Sequence, residues 1–186
     1  MARCYSDGMM PRQSLPNIWL ISDARNDAAL AEGLRDLPRG SGLVFRHYHL
    51  DDAARKARFA VLLGLSRNLG HLAVLADHAD RAHAWGADGV YGPPDKLDDR
   101  PALLRLAAVH DAHEVLLANR AGVDAMFLSP VHATRSHPGA EPLGADRFHA
   151  LAAQADSPVI ALGGMNAARA AALGWPRWAG IDAFLR

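Results

Sequence analysis

The 186-residue sequence has a single cysteine, Cys4, and no excess of charge of either sign. One cysteine excludes an internal disulfide and a zinc site built from cysteines, and it fits a reducing, cytoplasmic location. Lys plus Arg and Asp plus Glu number 20 each, so net charge gives no argument for nucleic acid or an anionic membrane as a partner. No apolar run approaches the roughly 20 residues that a membrane helix needs.

Apolar residues, by contrast, are abundant enough for one sizeable core, because half of the chain is hydrophobic. Residues 1–16 lack a continuous apolar stretch, and we interpret them as a loose leader rather than a secretory signal. Residues 17–186 are then expected to form a single domain.

Short apolar runs alternate with helix-forming segments throughout that domain, which predicts right-handed βαβ units and a parallel sheet. Eight such units favour a closed (β/α)₈ (TIM) barrel over an open doubly wound sheet, since ISDARND after the first run lacks G-x-G-x-x-G. Only five residues follow Ile181, so we expect a truncated last helix and, over the wall left bare, a homodimer contact. The candidate strands are Asn17–Ser22, Leu43–His47, His71–Leu75, Gly89–Tyr91, Leu104–Val109, Ala125–Leu128, Pro158–Leu162 and Trp178–Ile181.

Two loops at the carboxyl ends of these strands suit a phosphorylated ligand. Gly163 and Gly164 follow the seventh strand and precede a helix, so the backbone can approach an anion closely. The loop after the sixth strand, residues 129–139, carries three hydroxyls, an arginine and two histidines, which is typical of a substrate or diphosphate clamp. Ile181, at the end of the eighth strand, could complete the cradle. A carboxylate beside a phosphate repels it, so we interpret Asp182 as a helix cap.

Three further residues stand where barrel enzymes place their chemistry. His110 directly follows the fifth strand, a position suited to general acid–base work. Asp77 and Asp95 follow the third and fourth strands, so their carboxylates could together hold magnesium and a substrate diphosphate. Position alone does not separate this role from a helix cap at Asp77 and a surface turn at Asp95.

Three stretches of the chain carry a family resemblance, namely ADGVYG at 87–92, SPVHATRSHPGAEPLG at 129–144 and ALGGMN at 161–166. They resemble the thiamine-phosphate synthase and thiazole tautomerase family, and the resemblance extends from the first strand to the eighth. The resemblance implies an enzyme that joins a pyrimidine-methyl diphosphate to a thiazole phosphate and releases diphosphate with the help of Mg²⁺.

The same resemblance assigns roles to individual residues. Asp77 and Asp95 would be magnesium ligands, and Gly163 and Gly164 would hold the thiazole phosphate. The catalytic candidates are His110, Thr134 and Ser136, of which Thr134 and Ser136 would contact pyrimidine or diphosphate and His110 is the acid/base of the tautomerase branch.

The chain departs from the family pattern at several diphosphate donors. Of the Q-x-R-x-K pattern after the second strand only Arg46 survives, and Ala76, Ala108 and His137 replace an asparagine, a serine and a lysine. Arg46, Arg135 and His137 are therefore the candidates for binding phosphate groups.

Three functions stay open on the sequence. The first is the synthase, with Mg²⁺. The second is the thiazole tautomerase, which needs the phosphate site and His110 but no cofactor. The third is a non-catalytic binder of a phosphorylated ligand of the thiamine pathway.

Overall fold

The computed structural model describes residues 15–98, 100, 102–135, 139 and 141–184. Eight parallel strands close into a barrel in sequence order, with β1 hydrogen-bonded to both β2 and β8. The predicted (β/α)₈ architecture is thus confirmed. The strands are β1 Ile18–Ile21, β2 Gly42–Phe45, β3 Leu72–Leu75, β4 Gly89–Gly92, β5 Leu104–Val109, β6 Ala125–Leu128, β7 Val159–Ala161 and β8 Trp178–Gly180.

Helices pack on the outside of this barrel, and several begin at caps that the sequence signals. Asp51 accepts from Ala54 N at 2.8 Å, and Asn166 caps the last helix through Arg169 N. The helical segment after β1 begins with a 3₁₀ turn, Ala24–Ala29, and a second 3₁₀ turn, Pro94–Lys96, follows β4. The helices are α1 Leu30–Asp36, α2 Asp52–Leu69, α3 Ala79–Ala84, α4 Ala112–Ala121, α5 Gly144–Ala152 and α6 Ala167–Leu173.

Alternate side chains of each strand point into the barrel or out toward the helices, which gives two apolar clusters. Trp19, Phe127 and Ile160 are fully buried members of the inner cluster. Gly42 allows this packing, since a Cβ there would lie 2.2 Å from the Trp19 ring. The core therefore fills the barrel and leaves the carboxyl ends of the strands for a ligand.

The two ends of the chain bear on earlier predictions. Residues 1–14 of the predicted leader lie outside the described residues. Up to residue 184 no helix follows β8, and Phe184 stacks on Trp178 with ring centroids 5.2 Å apart. No helix among the described residues is long and apolar enough to cross a membrane.

Candidate active site

A cavity of about 280 Å³ opens at the carboxyl ends of β6, β7 and β8. Six of the predicted site residues line it, contributed by the loops after β2, β6, β7 and β8. Ser136 and His137, from the same β6 loop, lie outside the described residues. The six are Arg46, Thr134, Arg135, Gly163, Gly164 and Ile181.

Gly163 and Gly164 form the floor between the β6 and β7 loops. Both have positive φ, 93° and 63°, a conformation that favours glycine. A Cβ on Gly163 would lie 2.6 Å from Pro130 Cα, and one on Gly164 would lie 2.8 Å from the Ala133 carbonyl oxygen. The absence of side chains at these glycines thus leaves space for a ligand and also lets the β6 loop pack directly against them.

Arg46 is the most firmly held cation of the cavity. Its backbone N–H donates to Ser22 Oγ at 2.7 Å, and its Nε donates to the Ser22 carbonyl at 3.1 Å. Nη2 pairs with Asp23 Oδ2 at 3.1 Å, and the Arg46 carbonyl accepts from Arg55 Nε at 3.0 Å. Burial raises the pKa of Asp23, but hydrogen bonds from Arg25 and the charge of Arg46 outweigh it and leave that pKa below its ordinary value. The guanidinium is therefore preorganised for an anionic group.

Hydrogen bonds that join the buried Ser22 and His47 to the partly exposed Asp27 support this arrangement. Ser22 Oγ lies 2.8 Å from His47 Nδ1, and His47 Nε2 lies 2.8 Å from Asp27 Oδ1. Because a carboxylate only accepts, Nε2 carries the proton and Nδ1 accepts from the serine hydroxyl. Ser22 is fully buried and its oxygen already accepts from Arg46 N, so this triad is structural rather than nucleophilic. Burial holds the pKa of His47 below its usual value although Asp27 opposes the shift.

Asp182 is at the rim of the cavity, in the turn after β8. Its Oδ2 accepts from Arg135 Nη2 at 2.9 Å and lies 3.5 Å from Arg25 Nη1. The carboxylate that was interpreted as a helix cap thus makes ion pairs instead. These pairs offset the repulsion that it would exert on a phosphate group.

Asp77 was predicted to hold magnesium, but its carboxylate is surrounded by cations. Oδ2 accepts from Arg55 Nη1 at 2.5 Å and Arg81 Nη1 at 3.1 Å, while Oδ1 accepts from His78 N at 2.9 Å. Burial raises the pKa of Asp77, but the hydrogen bonds from Arg55 and His78 outweigh it and leave the pKa below its ordinary value. Two guanidinium groups at one carboxylate oxygen do not fit a magnesium ligand.

Asp95 and His110 lie apart from the cavity lining. Asp95 is exposed in the 3₁₀ turn after β4, and the described residues contain no group of three or more His, Cys, Asp or Glu side chains that could hold a metal. His110 Nδ1 lies 2.8 Å from Glu114 Oε2, which orients the imidazole at the end of β5. Tyr91 is buried inside the barrel, and burial raises its pKa to about 12.

Sequence patterns do not reveal three of the residues around Arg46. Ser22, His47 and Arg55 come from three elements, and only the register of β1 and β2 with α2 against them brings them together. The one hint in the sequence is a polar run at the end of each of two consecutive strands, ISDARND after β1 and FRHYH after β2.

The fold and the cavity define a class: a parallel (β/α)₈ barrel that presents backbone amides and arginines at the strands' carboxyl ends. The sequence model described as thiamine monophosphate synthase matches residues 18–183. The chain therefore belongs to the thiamine monophosphate synthase family, whose members are enzymes of thiamine biosynthesis.

Individual relatives agree with this assignment. A thiamine-phosphate synthase of Chloroflexus aurantiacus is 35% identical over 160 residues, which cover 81% of this chain and 73% of the relative. A thiamine-phosphate synthase of a Mycobacterium species, strain JLS, is 30% identical over 187 residues, which cover 88% of this chain and 81% of the relative. The solved structure of a thiamine phosphate pyrophosphorylase of Pyrococcus furiosus shares the fold, with a TM-score of 0.76 at 24% identity over 92% of this chain and 87% of the other.

Proposed function

We propose that the chain is a thiamine-phosphate synthase that joins hydroxymethylpyrimidine diphosphate to thiazole phosphate. The observation that carries the proposal is the convergence of Arg46, Thr134, Arg135 and the Gly163–Gly164 pair on one cavity. The relatives named as thiamine-phosphate synthases support it.

In the proposed reaction the bond between the pyrimidine methylene carbon and the diphosphate oxygen breaks, and the electron pair leaves with the diphosphate. The thiazole nitrogen then donates its lone pair to the methylene carbon and forms the C–N bond. Negative charge grows on the leaving oxygen, so preorganised cations nearby lower the barrier. Arg46 and Arg135 would supply that charge, while the amides of Gly163 and Gly164 would bind the thiazole phosphate.

No step is assigned to magnesium, because the groups around Asp77 do not fit that metal. A magnesium requirement of the reaction nevertheless stays a prediction. Comparing product formation in EDTA with formation in added magnesium tests it, and equal rates in both would remove the metal from the reaction.

The synthase proposal is tested with purified protein and both substrates, with product followed by chromatography. Arg46→Ala should lower kcat/KM by about 10²-fold, the usual cost of one charge-stabilising donor. Arg35→Ala is the matched control, since this arginine of α1 is exposed and donates only to the Ala31 carbonyl among the contacts described. Turnover of Arg46→Ala at the wild-type rate would contradict the role of Arg46. A wild-type protein that forms no product at any magnesium concentration would contradict the synthase proposal.

The tautomerase remains a second candidate on one observation. Glu114 orients the His110 ring at the end of β5, as a proton-transferring imidazole requires. Turnover of a thiazole carboxylate phosphate, reduced about 10²-fold in His110→Ala, would support this candidate. Binding of thiazole phosphate without either turnover would instead indicate a non-catalytic binder.

A cytoplasmic location and a homodimer both stay predictions for the proposed enzyme. The dimer was expected because β8 would lack a covering helix, yet Phe184 packs on Trp178 and approaches Gly33. Part of the bare wall is therefore covered, and sedimentation analysis decides between monomer and dimer.

A further inference from the structure

Arg55 and Asp77 form a buried ion pair at the ends of β2 and β3. Their side chains are only 6% and 9% exposed. Arg55 Nη1 donates to Asp77 Oδ2 at 2.5 Å, and Nη2 donates to the Ala76 carbonyl at 2.9 Å. The guanidinium also lies 5.4 Å from the centroid of the Tyr48 ring and 5.8 Å from that of Trp85. An arginine buried in this way needs its counter-ion.

The third donor of Arg55 connects this pair to the cavity. Nε donates to the carbonyl oxygen of Arg46 at 3.0 Å. The Arg46 backbone is thereby held from both sides, because its N–H donates to Ser22 Oγ. A shift of the Arg55 guanidinium would therefore also shift the Arg46 backbone, and with it the Arg46 side chain that lines the cavity.

The same contacts disfavour the binding of a metal ion by Asp77. To bind a divalent cation, the carboxylate would have to leave Arg55 without a counter-ion, and the cation would lie beside the guanidinium groups of Arg55 and Arg81. Removing one partner of a buried pair is strongly destabilising, whereas replacing both by apolar side chains is often neutral.

We propose that Arg55 and Asp77 are positioning residues that hold Arg46 for the leaving diphosphate, and that Asp77 is a counter-ion rather than a metal ligand in this chain. Only the turnover part of the test below rests on the proposed function. The stability and metal-binding parts need no synthase activity, so the two proposals can fail separately.

Stability comes first, by thermal unfolding of Asp77→Asn and of the double variant R55M/D77L. The single change should lower Tm by about 10 °C, since it strands a buried arginine. The double change should recover most of that loss. Asp52→Asn is the matched control: Asp52 also pairs with Arg81 but is exposed, so its loss should move Tm little.

Metal binding comes second, by titrating the wild type with Mn²⁺ as the probe and following free metal by electron paramagnetic resonance. We expect no saturable binding below millimolar metal in the wild type or in Asp77→Asn. Submillimolar binding that Asp77→Asn abolishes would overturn the proposal.

Turnover comes third, measured over a range of magnesium concentrations. Asp77→Asn should lower kcat/KM at least tenfold, and R55M/D77L should stay as low although its stability recovers, because it lacks the Arg55 Nε that holds the Arg46 carbonyl. The magnesium concentration that gives the half-maximal rate should be the same in the wild type and in Asp77→Asn, whereas loss of a metal ligand would raise it. A double variant with the wild-type kcat/KM would overturn the positioning role, and a raised magnesium requirement in Asp77→Asn would overturn the counter-ion role.

Discussion

At the scale of single residues, Gly164 shows how one position combines a packing and a binding requirement. Its φ of 63° disfavours any side chain, and the Ala133 carbonyl and the His132 Cβ occupy the space that a Cβ would take. The β6 loop also bonds directly to this turn, with His132 N donating to the Gly163 carbonyl at 3.0 Å. A side chain here would therefore displace the loop as well as fill the floor of the cavity.

Gly164→Ala should accordingly weaken binding of thiazole phosphate at least tenfold, or about 1.4 kcal/mol. Calorimetry without the second substrate measures this directly. Gly174→Ala is the control for backbone strain, because Gly174 has a similar φ of 65° but no atom within 4 Å of the added Cβ. If the two variants bind equally well, the anion site is not at this turn.

At the scale of elements, the loops after β1 and β2 behave as one unit through the Ser22–His47–Asp27 chain. His47 itself has a φ of 34°, and Arg58 of α2 donates to Asp27 Oδ1 at 2.7 Å. These hydrogen bonds thus join both loops to α2. Because Nδ1 of His47 must accept the serine proton, a second proton on the ring would break the link.

This link predicts a stability that falls in mild acid. In the unfolded chain His47 titrates near 6.5, and burial lowers its pKa in the folded state. Below about pH 6.5 the His47 imidazole is therefore protonated in the unfolded chain while it stays neutral in the folded chain. The free energy of unfolding present above that pH is consequently lost as the pH falls. Thermal unfolding from pH 8 to 5 should show the Tm gap between wild type and His47→Asn narrowing in acid.

His113→Asn provides the control, because His113 is an exposed histidine of α4 and is not among the groups that shift the pKa of His47. Its variant should keep the wild-type dependence on pH. A gap between wild type and His47→Asn that stays constant over the range would contradict the role of His47. The asparagine is chosen since it tolerates positive φ better than most residues.

Much of this element-level organisation followed from the sequence, and the exceptions have a common cause. Apolar runs and turn residues are local signals, so the strand order and the glycine turn could both be predicted. The environment of Asp77 could not, because Arg55 lies 22 positions away and only the packing of α2 beside β3 brings the two together. A motif match gives the type of residue at a position but not the partner that engages it.

At the scale of the whole molecule, the barrel closes through its shortest strands. β7 pairs with β8 through the single register pair Ala161 and Trp178, whereas β4 and β5 share four. Asn26 bridges the neighbouring seam between β1 and β8, where its Nδ2 donates to the Ile21 carbonyl at 3.0 Å and the Ile181 carbonyl at 2.9 Å. Its Oδ1 accepts from Asp23 N at 2.8 Å, so one buried amide ties the closing strands to the cavity wall.

Asn26→Ala should therefore affect both stability and binding. It strands two carbonyl groups and one N–H in a buried place, at a cost of about 3 kcal/mol, and it frees the β8 loop that carries Ile181 and Asp182. Urea unfolding should show the lost stability, and calorimetry a weaker affinity for thiazole phosphate. Asn119→Ala, which removes bonds to the Gln154 carbonyl and Asp156 N outside the barrel, should change stability without changing affinity. Equal affinity in Asn26→Ala would mean that the cavity keeps its shape without this bridge, and that the loops after β6 and β7 alone hold the ligand.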